Sequence, residues 1–338
     1  MNRLGQISRL SGGILMLASV SIALAGCGGG GIDLAGGGTG GTGISTGSVT
    51  GFGSVVVNGV HFLTDDDVAP GFVTKKTFMG MDNSTWMDRD LFRVGMVVTV
   101  RHAQIDNNAQ EIEYRDNLKG RISAKNSGAD NTFAVLGQTV VVDNAALFDS
   151  LLPNDVAEVS GYVDAAGRIR ATYIAMVPCS MMPMCPVSEF EVAGYISGLS
   201  SPDASFRLGP LPDGTGTTVT VSYAPAMGAG LDNGMYVQVV TTDPEPVSGG
   251  ITATRIDRLV PRTVFPENAA ADLEGLVTAS PSGSGNVLSF AVEGKRIQTD
   301  GDTQFAGGTA ADIQPNVRLQ VQGTENGGVL SAARIVFR

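Results

Sequence analysis

Histidine, cysteine and tryptophan are scarce in these 338 residues: two His, three Cys and one Trp. The two histidines, His61 and His102, form no His-x-x-x-His pair, and no Cys-x-x-Cys occurs. Metal sites built on those spacings are therefore excluded. No glycine-rich loop ends in Gly-Lys-Ser or Gly-Lys-Thr, which excludes the phosphate-cradling loop of nucleotide hydrolases. Charge is sparse too, at 16% of residues, and basic groups are the minority: 22 Lys and Arg against 33 Asp and Glu, a net charge of −11. A chain this acidic, with no basic stripe, is not built for a phosphate backbone, and no nucleic-acid partner is expected. No serine has a credible elbow context for nucleophilic catalysis. Neither enzymatic activity nor a cofactor or metal is expected.

Glycine is abundant, at 46 residues, and apolar residues make up 43% of the chain, enough to build cores. The strongest pattern is a fourfold repeat. Each copy opens on Gly-x-Val or Gly-x-Ile: Gly47-Ser48-Val49, Gly120-Arg121-Ile122, Gly194-Tyr195-Ile196 and Gly275-Leu276-Val277. Copies close on stretches such as Ala171-Thr172-Tyr173-Ile174, Ala253-Thr254-Arg255-Ile256 and Ala332-Ala333-Arg334-Ile335. A period of this kind marks an array of similar small modules.

The first 26 residues read as a targeting segment. They carry Arg3 and Arg9 and no acid, so the remainder has a charge of −11 − 2 = −13. The apolar stretch from Gly13 to Leu24 is too short to span a bilayer. It runs into Leu24-Ala25-Gly26-Cys27, which resembles the lipobox of bacterial lipoproteins. That resemblance implies cleavage before Cys27, lipidation of Cys27, and anchoring of the chain to a membrane by acyl chains. Gly28 stands where an inner-membrane retention signal would have aspartate, so a cell with two membranes would hold the protein at the outer one. Residues 27–46 are rich in glycine and read as a tether. Gly38-Thr39-Gly40-Gly41-Thr42-Gly43 and Gly43-Ile44-Ser45-Thr46-Gly47 imitate a dinucleotide fingerprint and a nucleophile elbow, but neither opens a plausible helix.

The last copy shows the module most clearly. Leu288, Phe290 and Val292 alternate with polar or small residues, as do Val317, Leu319 and Val321, the period of half-buried strands. Asn326-Gly327 signals a hairpin. Residues 144–153 in the second copy predict a short helix, capped by Asp143 or Asn144 and stopped by Pro153. Three strands, a short helix and two strands is the order of an OB-like barrel. The expected fold is all-β: four tandem small OB-like β-barrel repeats at 47–117, 118–177, 189–262 and 271–338, with a Cys/Met/Pro linker at 178–188. A rod of β-sandwich modules satisfies the same strand count.

The stretch Val49-Thr50-Gly51-Phe52-Gly53-Ser54-Val55-Val56-Val57-Asn58-Gly59-Val60, followed by Leu91-Phe92-Arg93-Val94-Gly95-Met96-Val97-Val98, resembles the domain-of-unknown-function family 5666. The likeness is greatest in the first copy, less in the second and fourth, and least in the third. It implies a repeated β domain in an envelope lipoprotein and brings no catalytic residue.

Specific function is expected where the copies differ. The connection from Thr64 to Gly95 holds the one tryptophan, Trp86, near Asp82, Asp88 and Asp90, a candidate loop for glycans or small polar ligands. Its structural alternative is an extra hairpin formed by Phe72 and Phe78, with Trp86 capping a barrel end. Cys179 and Cys185 form an even pair that suits a disulfide in an exported chain. With Met181, Met182 and Met184 between them, they also make a soft donor set for Cu(I). His61 beside Asp65-Asp66-Asp67 is either a metal ligand or a strand-edge histidine at a solvated turn. The reading that results is a cell-envelope lipoprotein with a non-enzymatic binding or scaffolding role. Its partners are the membrane, through the anchor, and an envelope protein or glycan.

Overall fold

In a computed structural model, residues 42–68, 71–103, 106–182 and 185–338 are described. The signal-like segment, Cys27 and most of the tether lie outside them. The final residues assigned to the tether do not behave as coil: Thr42–Gly51 is the first strand, β1.

The first repeat continues with β2 (Val55–Val57), β3 (Val60–Phe62), β4 (Lys75–Phe78), β5 (Met81–Asp82), the one-turn helix α1 (Asp88–Leu91), β6 (Val97–Ala103) and β7 (Ala109–Tyr114). The second contains β8 (Leu118–Arg121), β9 (Ser123–Asn126), β10 (Thr132–Val135), β11 (Gln138–Val141), α2 (Ala145–Ser150), β12 (Val156–Val163) and β13 (Ile169–Val177). The third has β14 (Phe190–Ser200), β15 (Ser205–Gly209), β16 (Val219–Ser222), β17 (Tyr236–Thr241) and β18 (Gly250–Arg258). The fourth has β19 (Ala270–Ser284), β20 (Val287–Val292), β21 (Lys295–Gln298), β22 (Gln304–Ala306), β23 (Arg318–Asn326) and β24 (Val329–Phe337).

Local signals in the sequence account for these elements. Leu288, Phe290 and Val292 are buried on one face of β20, and Leu319 and Val321 on β23. The Asn144 side chain caps α2 by accepting from the Leu147 N–H, and the helix ends at Ser150, before Pro153. Positive φ at Asn58-Gly59 and at Glu293-Gly294 gives the tight turns β2–β3 and β20–β21. The repeated opening glycine has a packing cause. A Cβ at Gly47, Gly120, Gly194 or Gly275 would come closer than 3.0 Å to Asn58, Val135, Gly209 or Glu293, in each case at or just beyond the end of a strand of the same repeat, β2, β10, β15 or β20. The chain crosses itself too closely there for a side chain.

The fold is all-β, with 52% of the described residues in strands, but the expectation of four discrete OB-like barrels is overturned: the chain is wound as a β-solenoid of about eight turns. Strand ladders run on from repeat to repeat. Among the described residues they make two sheets, one of 13 strands shared by the first and fourth repeats and one of 11 shared by the second and third. The physical reason is strand length. The ten residues of β1 give their later part to β2, at Val49 and Gly51, and their earlier part to β19, with Ile44, Ser45 and Thr46 in parallel register with Ala271, Asp272 and Leu273. Likewise β14 pairs with β15 beyond Tyr195, and with β8 at Glu191 and Val192. Hairpin signals specify pairing within a repeat and leave this second use of the strands unspecified. Nor do the repeats lie simply in a row, because the first is laid beside the fourth.

Candidate functional site

The four repeats converge on buried polar groups. The Tyr162 hydroxyl, from β12, accepts from the Ser48 N–H of β1 at 2.8 Å and donates to Glu274 of β19 at 2.8 Å. Arg318 of β23 closes this group with an ion pair to Glu274 at 2.9 Å and lies over the Tyr162 ring at 5.0 Å. Arg262, in the connection between the third and fourth repeats, donates to the Gly161 carbonyl and pairs with Glu293 at 3.0 Å. Glu293 also accepts from the Val163 N–H at 2.8 Å. Burial pushes the Tyr162 hydroxyl and the Glu293 carboxyl up from their ordinary values. These partnered groups hold repeats together and leave no reactive atom exposed.

The third and fourth repeats share no strand pairing. Between them, bounded by residues 259–267, is a cleft of about 700 Å³. One wall carries Tyr195 and Tyr236, ring centroids 4.8 Å apart, and Thr263 also lines the cleft. Phe265 and Pro212 add apolar surface. At its base Lys295 and Glu325 form a buried ion pair at 2.7 Å, with the Lys295 ammonium 5.5 Å from the Phe265 ring centre. Two exposed guanidinium groups face the cleft from opposite repeats, Arg258 at the end of β18 and Arg296 in β21. The volume lies in the range of small-ligand sites. Sequence reasoning missed this cleft because its lining is spread from Tyr195 to Gly328. Its one local signal was the stretch Arg258-Leu259-Val260-Pro261-Arg262 between repeats.

The residues singled out from the sequence are placed differently. The Thr64–Gly95 connection does form a hairpin, β4–β5, but it is organised around a lysine. The Lys76 side chain is fully buried, its ammonium 2.9 Å from Asp65, 3.0 Å from Asp88 and 3.4 Å from Asp66, and it donates to the Trp86 carbonyl at 2.9 Å. Burial works against its charge, but the hydrogen bonds and charges of Asp65 and Asp88 prevail and raise its pKa. Asp88 is thus committed to the interior, with its carboxyl pushed up by burial. Asp82 accepts from the Ser84 N–H at 3.0 Å, and Asp90 is exposed on α1. Trp86 is 55% exposed, so it caps no barrel end.

Cys179 and Cys185 are joined by a disulfide, S–S 2.07 Å. Both thiols are consumed, which corrects the copper reading of that loop. His61 bonds Ser54 Oγ through Nδ1 at 2.9 Å, and His102 Nδ1 lies 3.0 Å from the Ala103 carbonyl oxygen. Burial lowers the His102 pKa. Among the described residues neither histidine bonds a carboxylate, and no group of three or more His, Cys, Asp or Glu is placed to hold a metal ion.

Comparison with known proteins yields one family model, and it covers less than half of the chain. The domain of unknown function DUF5666 matches residues 119–175 and 274–336, parts of the second and fourth repeats. The matched segments exclude the first repeat, where the likeness had looked greatest. No curated protein matches. Six chains of solved structures match, among them drosophila Unr CSD456, at 14% identity over 65% of this chain and 96% of that one, with a TM-score of 0.18.

Proposed function

We propose that this chain, whose second and fourth repeats carry the DUF5666 domain, is a non-enzymatic binding protein of the cell envelope. In this reading it is lipid-anchored through Cys27 at the outer membrane, and it recognises its partner in the cleft between the third and fourth repeats. The observation that carries the reading is the cleft itself: about 700 Å³, open between the third and fourth repeats, which share neither a strand pairing nor a buried apolar core among the described residues. Two aromatic rings and two exposed guanidinium groups supply contacts there without a nucleophile and base in mutual reach. The exposed indole of Trp86 supports a second ligand surface, though its neighbouring carboxylates are held by Lys76 and Ser84.

The test is mild crosslinking of the lipidated protein in its own membrane, followed by identification of what co-purifies. Val264 lines the cleft and is 51% exposed, so Val264→Trp should fill it without disturbing a core. Loss of the co-purifying component in that variant is the expected result. Unchanged capture by Val264→Trp, or a hydrolytic activity abolished by one serine or acidic substitution, would overturn the reading.

A further inference from the structure

We infer that the ligand of this cleft is a carboxylate-bearing glycan, an inference that rests on the binding role proposed above. The charges in the cleft are unequally committed. Lys295 is neutralised by Glu325 at 2.7 Å, and Glu267 accepts the Gly327 N–H at 2.9 Å. Arg258 spends one N–H on the Ala229 carbonyl, at 2.6 Å, and keeps its other donors. Arg296 makes no side-chain hydrogen bond or ion pair among the described residues, although it faces the same opening. Counting Arg258, Lys295 and Arg296 against Glu267 and Glu325, the lining sums to +1 on a chain of net charge −11, and its two exposed guanidinium groups stand on different repeats. The planar fork of guanidinium matches a carboxylate through two parallel hydrogen bonds.

The rest of the lining suits sugar rings. Tyr195 and Tyr236 offer ring surface for the C–H faces of a pyranose, and Thr263 lines the same cleft. A peptide that bound by adding a strand would need a row of free backbone groups. The tyrosine wall offers none, because β14 is paired with β17 from Phe190 to Tyr195 and with β15 from there on. With one guanidinium on each repeat, an acidic oligosaccharide would bridge the two repeats.

The experiment is calorimetric titration of the full chain with a short oligogalacturonate, its methyl-esterified form, a phosphorylated oligosaccharide and an acidic peptide. Binding of the free acid, at least tenfold weakened by esterification and about tenfold by either Arg258→Gln or Arg296→Gln, is the expected result. Thermal melts of both variants, whose substituted side chains are exposed, check that folding is intact. Equal affinity for the ester, preference for the phosphorylated sugar or the peptide, or no binding at all overturns the carboxylate-glycan assignment. If that assignment fails while Val264→Trp still loses its crosslinked partner, the binding role stands and only the ligand class falls. If Val264→Trp also captures normally, the cleft itself is ruled out.

Discussion

The seam between the second and third repeats and the seam between the first and fourth use the same device, a first strand shared with another repeat, but different chemistry. Across the second–third seam one apolar core is continuous, running from Leu118 and Phe133 to Val239 and Ala253. The first and fourth repeats keep separate cores, and Ile44 is the first repeat's contribution to the fourth. What joins them besides strand pairing is mostly polar, with one small apolar cluster of Val97, Tyr162 and Leu276. Asn58 donates to Asp272 at 3.0 Å across the seam, and Asp272 also accepts from Gln320 at 2.8 Å and from Gln322 at 3.1 Å, beside the Tyr162–Glu274–Arg318 group. An apolar seam has strength to spare and carries an orphan: Asp116 is buried, and neither of its carboxylate oxygens has a partner. The polar seam carries an orphan of its own, Asn58 Oδ1, but its charged groups are paired, and it should weaken most when one of those is removed.

The largest effect should come from Glu274→Ala, which leaves Arg318 and the Tyr162 hydroxyl without their shared acceptor in the interior. A loss of about 3–5 kcal/mol is expected, read by denaturant unfolding at constant m. A loss below about 1 kcal/mol would show that strand pairing alone holds the first–fourth seam. Next comes a pH dependence of that seam. Burial raises the Asp272 carboxyl to about 6, against the amide hydrogen bonds that favour its charged form. An acid with a raised folded pKa favours the folded state at low pH, and that contribution fades as pH climbs from about 4 to about 6. Asp272 should therefore cost on the order of 3 kcal/mol across that window, as an upper bound, followed by chemical denaturation at successive pH values. Its rise should vanish from the profile of Asp272→Asn, a variant that is itself destabilised because its NH₂ group faces the Gln320 and Gln322 donors.

Tyr162→Phe keeps the ring beneath Arg318 and removes one hydroxyl, for an expected loss of about 1–3 kcal/mol, measured in the same way. The smallest change should carry the opposite sign. Burial, with Glu158 and Glu191 nearby, pushes the Asp116 carboxyl well above its ordinary value, while Lys119 and Arg115 oppose the shift. Asp116→Asn should raise the denaturation midpoint at pH 8 and change nothing below pH about 4, where the acid is protonated in both states. Destabilisation at pH 8 would mean that Asp116 is held by a partner and that the two seams are more alike than their cores suggest.

These seams also mark how far the sequence could be read. Alternation placed β20 and β23, Asn144 announced its helix, and Asn58-Gly59 announced its turn, because each signal lies within a few residues of its effect. The partnership of Ile44 with Ala271 is written in no local pattern; it follows from which spare strand segment each repeat has left to pair. The cleft is a product of that arrangement and was equally hidden. Lys76 was passed over for a different reason. A lysine reads as surface until three aspartates are folded onto it, and Asp65, Asp66 and Asp88 looked like a solvated turn and a ligand loop.

The pairing of β1 with β19 has a consequence in time. Ser48 and Glu274 are 226 residues apart in the chain, yet they share a hydrogen bond. A chain emerging from the ribosome, N-terminus first, would expose the early half of β1 well before the segment that covers it has emerged. Contacts closed over such distances make for slow folding, and an unpaired strand is exposed to the wrong neighbour meanwhile. The first repeat would remain unfinished until the last arrived, making the end of synthesis, rather than its beginning, the moment at which this molecule becomes complete.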